Sequence, residues 1–432
     1  MSKFKLEFTL KQHTPLIHFQ YNQSGATLRA TELKPKLDRF LIEKFKKENT
    51  NFDKWLNRKD PPLSLDYKIK IKYAGDIEYY LPLASIANRK KQPLIDFIKQ
   101  NAKLDIILLE QTPYFGNSDK IEFTKINNSF IVNQSKTKVD ELKFATLSKS
   151  EIDVSIFSFN EDLLRQIQNN LILFFLHHNF GTRQNKGFGS FTVESLNNQK
   201  ISVSEEQLNK VFTHQSNIEL NNYNKIFAFI LDEYQLLKSG KNYPQYKKSE
   251  IFKHFIKKGI RWEKRYIKKY INTNKIMNKE LYWTKKSAPI DFDNSTSDYY
   301  NDWTDTQNNT YGYIRALLGL AEQFEYTVFN RRRDGSDRQM RYVVSVEHNP
   351  ASGQEKIERF QSPIFFKVID NKVYIGLNES YNNILGEEFN FKLKLKGDSS
   401  DTLKNIGNIK IPQSFDLEDF VNKHVSNKWE KL

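Results

Sequence analysis

Apolar and polar residues alternate with a period of two over residues 4–11, which is typical of a strand with one buried face. Similar or continuous apolar runs predict further strands at residues 67–73, 104–109, 191–193, 225–231, 341–346, 364–369 and 372–376. Apolar residues that recur every three or four positions predict helices at residues 26–42, 161–180 and 311–324. The first 200 residues therefore read strand, helix, strands, helix, glycine loop, strand.

This order is typical of a ferredoxin-like (RRM-like) βαββαβ unit. Residues beyond 220 predict a related set of elements, although no clean sequence repeat links the two halves. The fold class predicted is therefore α+β, with two ferredoxin-like domains in tandem at residues 1–200 and 220–398. An insertion at about residues 241–310 interrupts the second domain, and a partly ordered C-terminal tail follows at 399–432.

Composition narrows the class of protein. Of the 432 residues, 38% are hydrophobic and 14% aromatic, enough to fill a core, and cysteine is absent, which excludes thiolate metal sites and cysteine nucleophiles. No apolar stretch approaches the length of a membrane span, so we expect no membrane partner and a cytoplasmic location. A P-loop and metal-ligand spacing are both missing from the sequence, so no cofactor and no metal are expected.

Positive charge is concentrated in one segment of the chain. The formal net charge is +15, and residues 241–286 alone hold 15 lysines and arginines against three acids, with aromatic residues between them. A polyanion is the natural partner of such a segment, because neutralising phosphates releases counterions and aromatic rings can stack on bases. A basic, amphipathic helix pair that packs its aromatics inward is the alternative, and we expect the insertion to be helical.

Four short motifs resemble one protein family. Residues 181–191, Gly-Thr-Arg-Gln-Asn-Lys-Gly-Phe-Gly-Ser-Phe, lie between a predicted helix and a predicted strand and resemble the glycine-rich signature of the RAMP superfamily of CRISPR-associated RNA-binding proteins. Thr14-Pro15-Leu16 with the helix start at residues 26–34 resembles the first crossing in the first subunit of the Cmr-type (type III-B) effector. Residues 315–320 (Arg-Ala-Leu-Leu-Gly-Leu) and 358–363 (Glu-Arg-Phe-Gln-Ser-Pro) resemble two further motifs of that subunit.

The resemblance spans residues 14–363, and residues 241–310 carry no motif that we recognise. It implies a non-catalytic RNA-binding subunit of a ribonucleoprotein that serves antiviral defence. Such a subunit lies toward the 3′ end of the crRNA and helps to capture target RNA. The partners implied are crRNA, target RNA and other Cas subunits of the type III effector.

Candidate RNA-binding residues fall into three groups. In the glycine-rich loop, glycines allow positive φ and let backbone N–H groups approach a phosphate, while Phe188 could stack on a base or fill the core. The residues here are Gly181, Arg183, Lys186, Gly187, Phe188 and Gly189. The second group lies around the start of the first predicted helix, because the helix dipole favours anions there. Its members are His18, Arg29, Lys34, Lys36 and Arg39. In an arginine-rich loop or hairpin they are Arg331, Arg332, Arg333 and Arg341.

A ferredoxin-like sheet brings its first and fourth strands together, so the first helix start and the glycine loop are expected to converge. Solvated helix faces and a tight structural turn are the alternatives for these two segments, and an acidic neighbouring subunit is the alternative partner of the arginine-rich segment. An RNA-processing endoribonuclease that uses His13 or His18 as general acid or base is a rival reading, and a protein-only adaptor is another. Neither histidine has a partner fixed by spacing, so the chain is expected not to be an enzyme.

Overall fold

The computed structural model describes residues 4–18, 27–58, 60–73, 75–113, 117, 120–241, 247–264, 266–267, 270, 281–282, 310–331, 337–350, 355–397 and 403–432. For residues 281–282, 326–331, 337–340 and 380 it describes the backbone alone. Helices within these ranges are α1 (Ala30–Lys47), α2 (Asn88–Ala102), α3 (Glu161–His177), α4 (Glu205–Asn209), α5 (Tyr223–Lys238), α6 (Glu250–Ile256) and α7 (Leu417–His424). Short 3-10 helices lie at Asp53–Trp55, Val139–Glu141, Ile314–Leu318 and Glu379–Ile384.

The strands of the described residues are numbered in chain order. They are β1 (Lys5–Gln12), β2 (Leu16–Ile17), β3 (Leu56–Arg58), β4 (Ser64–Leu65), β5 (Lys68–Tyr73), β6 (Ile77–Pro82), β7 (Ile106–Leu109), β8 (Phe123–Ile126), β9 (Ser129–Val132), β10 (Ala145–Ser148), β11 (Ile152–Phe157), β12 (Phe191–Leu196), β13 (Gln199–Lys200), β14 (Phe212–Ser216), β15 (Ile260–Trp262), β16 (Leu281–Tyr282), β17 (Thr310–Gly312), β18 (Gln323–Arg331), β19 (Asp337–His348), β20 (Ile364–Ile369), β21 (Lys372–Leu377), β22 (Glu388–Leu395), β23 (Lys404–Lys410) and β24 (Trp429–Lys431). The protein is thus mixed α+β with several antiparallel sheets.

The chain forms two compact units. The first comprises Met1–Asp232, Phe365–Gly376 and Asn427–Leu432, and the second comprises Glu233–Ile364 and Leu377–Ser426. Each unit is therefore built from segments that are distant in sequence.

The largest sheet of the first unit has the strand order β13-β12-β1-β11-β5, with antiparallel neighbours throughout. The alternation in β1 buries Leu6, Phe8 and Leu10 on one face, where they pack with the apolar stripes of α1 and α3. Along the chain its elements follow in the order β1, α1, β5, β11, α3, β12. The order predicted for the first 200 residues, strand, helix, strands, helix, strand, is confirmed here.

Within the described residues, the first unit also contains two four-stranded sheets and the two-stranded pairs β3–β4 and β8–β9. One four-stranded sheet has the order β2-β10-β6-β7; its strands β6, β7 and β10 lie between β5 and β11 in the chain, and α2 packs on it through a small core of its own. A third sheet, of order β20-β21-β14-β24, is formed by strands from three distant parts of the chain. Its strand β20 brings Phe366 and Lys367 to the end of α3.

The second unit contains a five-stranded sheet of order β16-β18-β19-β22-β23 and a parallel pair, β15 with β17. Its longest pairing is the β18–β19 hairpin. Strands β19, β20 and β21 confirm the predictions made at residues 341–346, 364–369 and 372–376.

Two element predictions in the second half are wrong. Residues 225–231, predicted as a strand, belong to α5, whose start is capped by the Asn222 side chain accepting from the backbone N–H of Lys225 at 2.9 Å. A short continuous apolar run does not distinguish a strand from a buried helix. Here the helix forms because its start is capped and nine further residues around the run are also helical. Residues 311–324, predicted as a helix, contain β17, a 3-10 helix and the start of β18.

Two further segments differ from expectation. The described residues of the insertion contain α6, further helical residues at 263–264, 266–267 and 270, and the strands β15 and β16, rather than helix alone. Residues 242–246, 265, 268–269, 271–280 and 283–309 of the insertion lie outside the described residues. The chain beyond residue 397, expected to be only partly ordered, contains β23, α7 and β24. Among the described helices, none has both the length and the apolar character needed to cross a membrane.

Candidate functional site

The glycine-rich loop at residues 181–191, called here the glycine corner, connects α3 to β12 and is tied to the chain just after β1. The backbone N–H of Gly189 donates to the carbonyl of Pro15 at 3.0 Å. The hydroxyl of Thr14 donates to the carbonyl of Gly187 at 2.6 Å and accepts from the N–H of Ser190 at 2.9 Å. The Thr14-Pro15 motif and the glycine motif therefore form one piece of structure.

The start of α1 also contacts the glycine corner. Glu32 accepts a hydrogen bond from the backbone N–H of Gly181 at 2.7 Å. Lys36, one turn later, donates to the carbonyl of Asn179 at 2.9 Å and to the side-chain oxygen of Gln184 at 2.6 Å. The structure thus brings together the two segments that the sequence predicted to converge.

The glycine N–H groups have partners inside the protein. Gly181 donates to Glu32 and Gly189 to Pro15, and the N–H of Gly187 lies 3.3 Å from the carbonyl of Gln184. In this structure these N–H groups therefore hold the turn together, and the phosphate contact expected for them stays a prediction. The glycines serve the turn: Gly189 has φ +65°, and a Cβ there would collide with the carbonyl of Phe180.

Phe188 fills the core. Its side chain is fully buried, and its ring stacks on that of Phe227 with 4.0 Å between centroids. Of the two roles that the sequence left open for Phe188, base stacking and core packing, the structure has the second.

Lys34 and Lys36 are held by protein acceptors. Lys34 donates to Asp38 at 2.7 Å and to the carbonyl of Leu65 at 3.0 Å, and its ammonium lies 4.3 Å from the centre of the Tyr67 ring. Lys36 is largely buried between α1 and the corner, and burial lowers its pKa. Lys36 therefore joins α1 to the corner, whereas Lys34 joins α1 to the segment around β4.

Arg39 and Arg183 are exposed, whereas Arg29, Lys186 and His18 are half-buried. Arg183 lies in the turn with φ +59°, and its side chain is exposed. Burial lowers the pKa of His18, and the nearby charge of Arg29 lowers it further. Among the candidate cations of the corner and of α1, Arg183 and Arg39 are thus the two with exposed side chains.

Beside α1 lies an open groove of about 540 Å³. Its lining includes Lys34, Arg39, Lys46 and Arg58, together with the acids Asp38 and Glu43. Sequence reasoning missed Lys46 and Arg58. The signal for Lys46 was available, since it stands seven residues after Arg39, about two turns along the same face of the helix.

The arginine-rich segment belongs to the second unit and forms the β18–β19 hairpin. Arg331 is the last residue of β18, paired in register with Asp337. Arg341 is exposed on β19, and its guanidinium lies 3.6 Å from Glu325 across the hairpin. Arg332 and Arg333 lie outside the described residues.

His13 is a structural histidine. It is 6% exposed, its Nε2 lies 2.7 Å from the hydroxyl of Thr192, and its Nδ1 accepts the backbone N–H of Asp370 at 3.0 Å. Burial lowers its pKa, which favours the neutral ring. Both nitrogens are engaged by the protein, so this geometry gives His13 no free acid or base to offer a substrate.

Lys367 was not predicted from the sequence. Its side chain is fully buried, and its ammonium donates to the carbonyls of Phe175 and His178 at 2.5 and 2.9 Å, at the end of α3. Beside it, Asn179 donates to the carbonyls of Gln184 and Phe366, both at 2.8 Å. One signal existed, because Lys367 interrupts an otherwise apolar strand.

We expect Lys36→Met to lower the free energy of unfolding of the first unit by about 2 kcal/mol, because it removes hydrogen bonds at a largely buried site. Arg39→Met, on the same helix but exposed, should change it by less than about 0.5 kcal/mol. Urea denaturation of both variants measures the difference. Unchanged stability of Lys36→Met, with weakened RNA binding, would contradict the structural role.

Comparison with protein families gives two matches that together span nearly the whole chain. The Cmr1 N-terminal domain matches residues 3–241, and the Cmr1 C-terminal domain matches residues 246–431. No curated protein matches the chain closely enough to count as a relative. The two family matches therefore confirm the resemblance seen in the short motifs, and the chain belongs to the Cmr1 family of type III-B CRISPR proteins.

Proposed function

We propose that the chain is a non-catalytic, RNA-binding subunit of a cytoplasmic Cmr effector complex in antiviral defence. It lies toward the 3′ end of the crRNA, contacts crRNA and target RNA, and assembles with other Cas subunits. The observation that carries the proposal is the match of both Cmr1 domains, residues 3–241 and 246–431. Cmr1-family proteins are generally non-catalytic subunits of the complex.

Together with this function, we propose that each of the two domains has a ferredoxin-like fold. The strand order β12-β1-β11-β5, joined by α1 and α3, supports a ferredoxin-like arrangement in the first unit. For the second domain, the ferredoxin-like arrangement rests on the resemblance alone, since two of its predicted elements are replaced by others.

The RNA contact proposed for the glycine corner depends on its arginines rather than on its backbone. Arg183 is exposed in the turn, and Arg39 lies about one helical turn beyond Lys36, which contacts the corner. Arg39 also lines the groove that Lys46 and Arg58 share. A strand of RNA that follows the corner into this groove would meet positive side chains along its path. In the second unit, Arg331, Arg332, Arg333 and Arg341 are proposed as a separate contact.

Arg39→Gln with Arg183→Gln is the test. The binding of a fluorescein-labelled single-stranded RNA to the full chain is measured at several salt concentrations. We expect the slope of log K against log salt to become shallower by about 1.4, at about 0.7 for each phosphate that is no longer neutralised. Affinity falls severalfold and the stability is unchanged.

Arg89→Gln with Lys125→Gln is the matched control, because both side chains are exposed on the same unit, on α2 and β8 rather than on α1 or the corner. Equal effects of the two pairs would show non-specific attraction and contradict the assignment of the corner. Cleavage of repeat RNA by the wild type that disappears in His18→Ala would favour the endoribonuclease reading instead.

A further inference from the structure

Within the described residues, the helices that pack on the largest sheet of the first unit, α1 and α3, lie on one face of it. The core residues of β1 and β11 pack toward α1 and α3, and the residues between them point the other way. The outward residues of the three strands β1, β11 and β5 are exposed or half-buried. This surface, called here the outer face, is separate from the glycine corner and has no role in the function proposed so far.

Strand register arranges the outer face in three rows across β1, β11 and β5. The rows are Lys5–Phe157–Lys68, Glu7–Ser155–Lys70 and Thr9–Asp153–Lys72. Side chains directly opposite each other on neighbouring strands have Cβ atoms about 5 Å apart. The rows therefore form one continuous surface with an aromatic ring between two lysines at one end.

Three aromatic rings gather at that end and are open to solvent. Phe157 is 38% exposed, Phe159 is 78% exposed and Phe4 is 39% exposed. The rings of Phe157 and Phe159 are 4.9 Å apart and those of Phe4 and Phe159 are 6.1 Å apart. Single exposed apolar residues are common, but a contiguous exposed aromatic cluster marks a binding surface.

The lysines of β5 lie beside this cluster. Lys68, Lys70 and Lys72 stand at alternate positions, about 6.6 Å apart along the strand. Within the part of the chain that the structure describes, none of the three makes an ion pair, whereas Glu7 already pairs with Lys5 at 2.5 Å. A row of cations next to exposed rings combines the two features that a single-stranded nucleic acid requires, phosphate neutralisation and a stacking surface.

We infer that the outer face is a second RNA site, on which bases of a single strand stack on Phe157 and Phe159 while phosphates run along Lys68, Lys70 and Lys72. The inference rests on the proposed function for the identity of the polyanion. An acidic protein would neutralise the lysines, but its residues would not each bring a planar group to stack on the exposed rings. RNA supplies a planar base and a phosphate in each nucleotide.

The test uses the full chain and a fluorescein-labelled oligouridylate of 12 nucleotides. Phe157→Ala with Phe159→Ala should weaken binding about tenfold, since a stacked base contributes a factor of about 5 to 150. Lys68→Gln with Lys70→Gln and Lys72→Gln should reduce the salt slope by about 2. Ile126→Ala with Ile131→Ala, exposed on the β8–β9 hairpin, is the control and should bind like the wild type.

A second readout locates the contact directly. Oligouridylate carrying 4-thiouridine should crosslink to peptides that contain Phe157 and Phe159, and the crosslink should disappear in the double variant. The single variant Phe159→Ala removes only the most exposed ring, so it should fold normally. It should still bind RNA more weakly than the wild type.

The outcomes separate the two proposals. Wild-type binding that neither outer-face variant changes overturns the second site and leaves the proposed function standing. If the same variants bind RNA normally but fail to join the effector, the outer face belongs to a protein partner and the inference is equally overturned. A wild-type chain that binds no RNA, alone or in the effector, overturns the proposed function itself.

Discussion

Gly189→Ala should lower the free energy of unfolding of the first unit by about 3 kcal/mol or more. A left-handed backbone costs a residue with a Cβ about 1–2 kcal/mol, and relieving the collision with the Phe180 carbonyl costs about 1–3 kcal/mol more. That carbonyl cannot move freely, because the N–H of Phe180 donates to the carbonyl of Gly189 itself at 2.9 Å. Urea denaturation followed by fluorescence measures the change.

Gly259→Ala is the control for this prediction. Gly259 has φ +75°, but nothing lies within 4 Å of a Cβ built on it. It should therefore show only the backbone cost of about 1–2 kcal/mol in the second unit. Equal destabilisation at both glycines would show that the close approach at the corner contributes nothing.

Phe188→Ala should lower the free energy of unfolding by about 3–5 kcal/mol, the range for removing a fully buried phenylalanine. The destabilisation includes both the transfer of the ring and the cavity left beside Phe227. The RNA affinity of the molecules that remain folded should be close to that of the wild type.

Phe159→Ala provides the opposite case. Phe159 is 78% exposed, so its removal should change stability by less than about 0.5 kcal/mol while weakening RNA binding. Denaturation and RNA titration of both variants should show that Phe188→Ala lowers stability but not RNA affinity, and that Phe159→Ala lowers RNA affinity but not stability. A Phe188→Ala protein that is stable but binds RNA weakly would contradict the placement of this ring in the core.

Local sequence patterns predicted those elements whose faces differ in polarity. β1 and α3 were predictable because their apolar periods match one buried face, and α1 because its leucines recur at helical spacing. α5 was not, because residues 225–231 are apolar without a period and the capping Asn222 lies outside the run. The period, rather than the amount of apolar character, carries the prediction.

The candidate site was predictable in outline but not in its chemistry. Glycine spacing located the corner, and the helix start was correctly expected nearby. The partners of Lys36 depend on contacts across more than 140 residues, and Lys367 reaches the end of α3 from 189 or more residues away. The sequence shows which residues are charged, but the fold determines which of these charged groups form hydrogen bonds within the protein.

The outer face illustrates the same limit. Alternating lysines in residues 67–73 were visible in the sequence, and so was Phe157. Their placement in neighbouring rows depends on the register of β5 with β11. A one-residue change in register would turn every side chain of the strand to the other face, so local patterns alone do not predict the surface.

The central claim is that this chain is an RNA-binding subunit of a Cmr effector. The most direct measurement is to purify the effector from cells through a tag on this chain, crosslink it with ultraviolet light and map the crosslinked peptides. We expect companion Cas proteins, a small RNA of uniform 5′ sequence, and crosslinks from the RNA 3′ region to this chain near Arg39, Arg183 or Phe159. Recovery of the same complex with RNA crosslinked only to other subunits would contradict it.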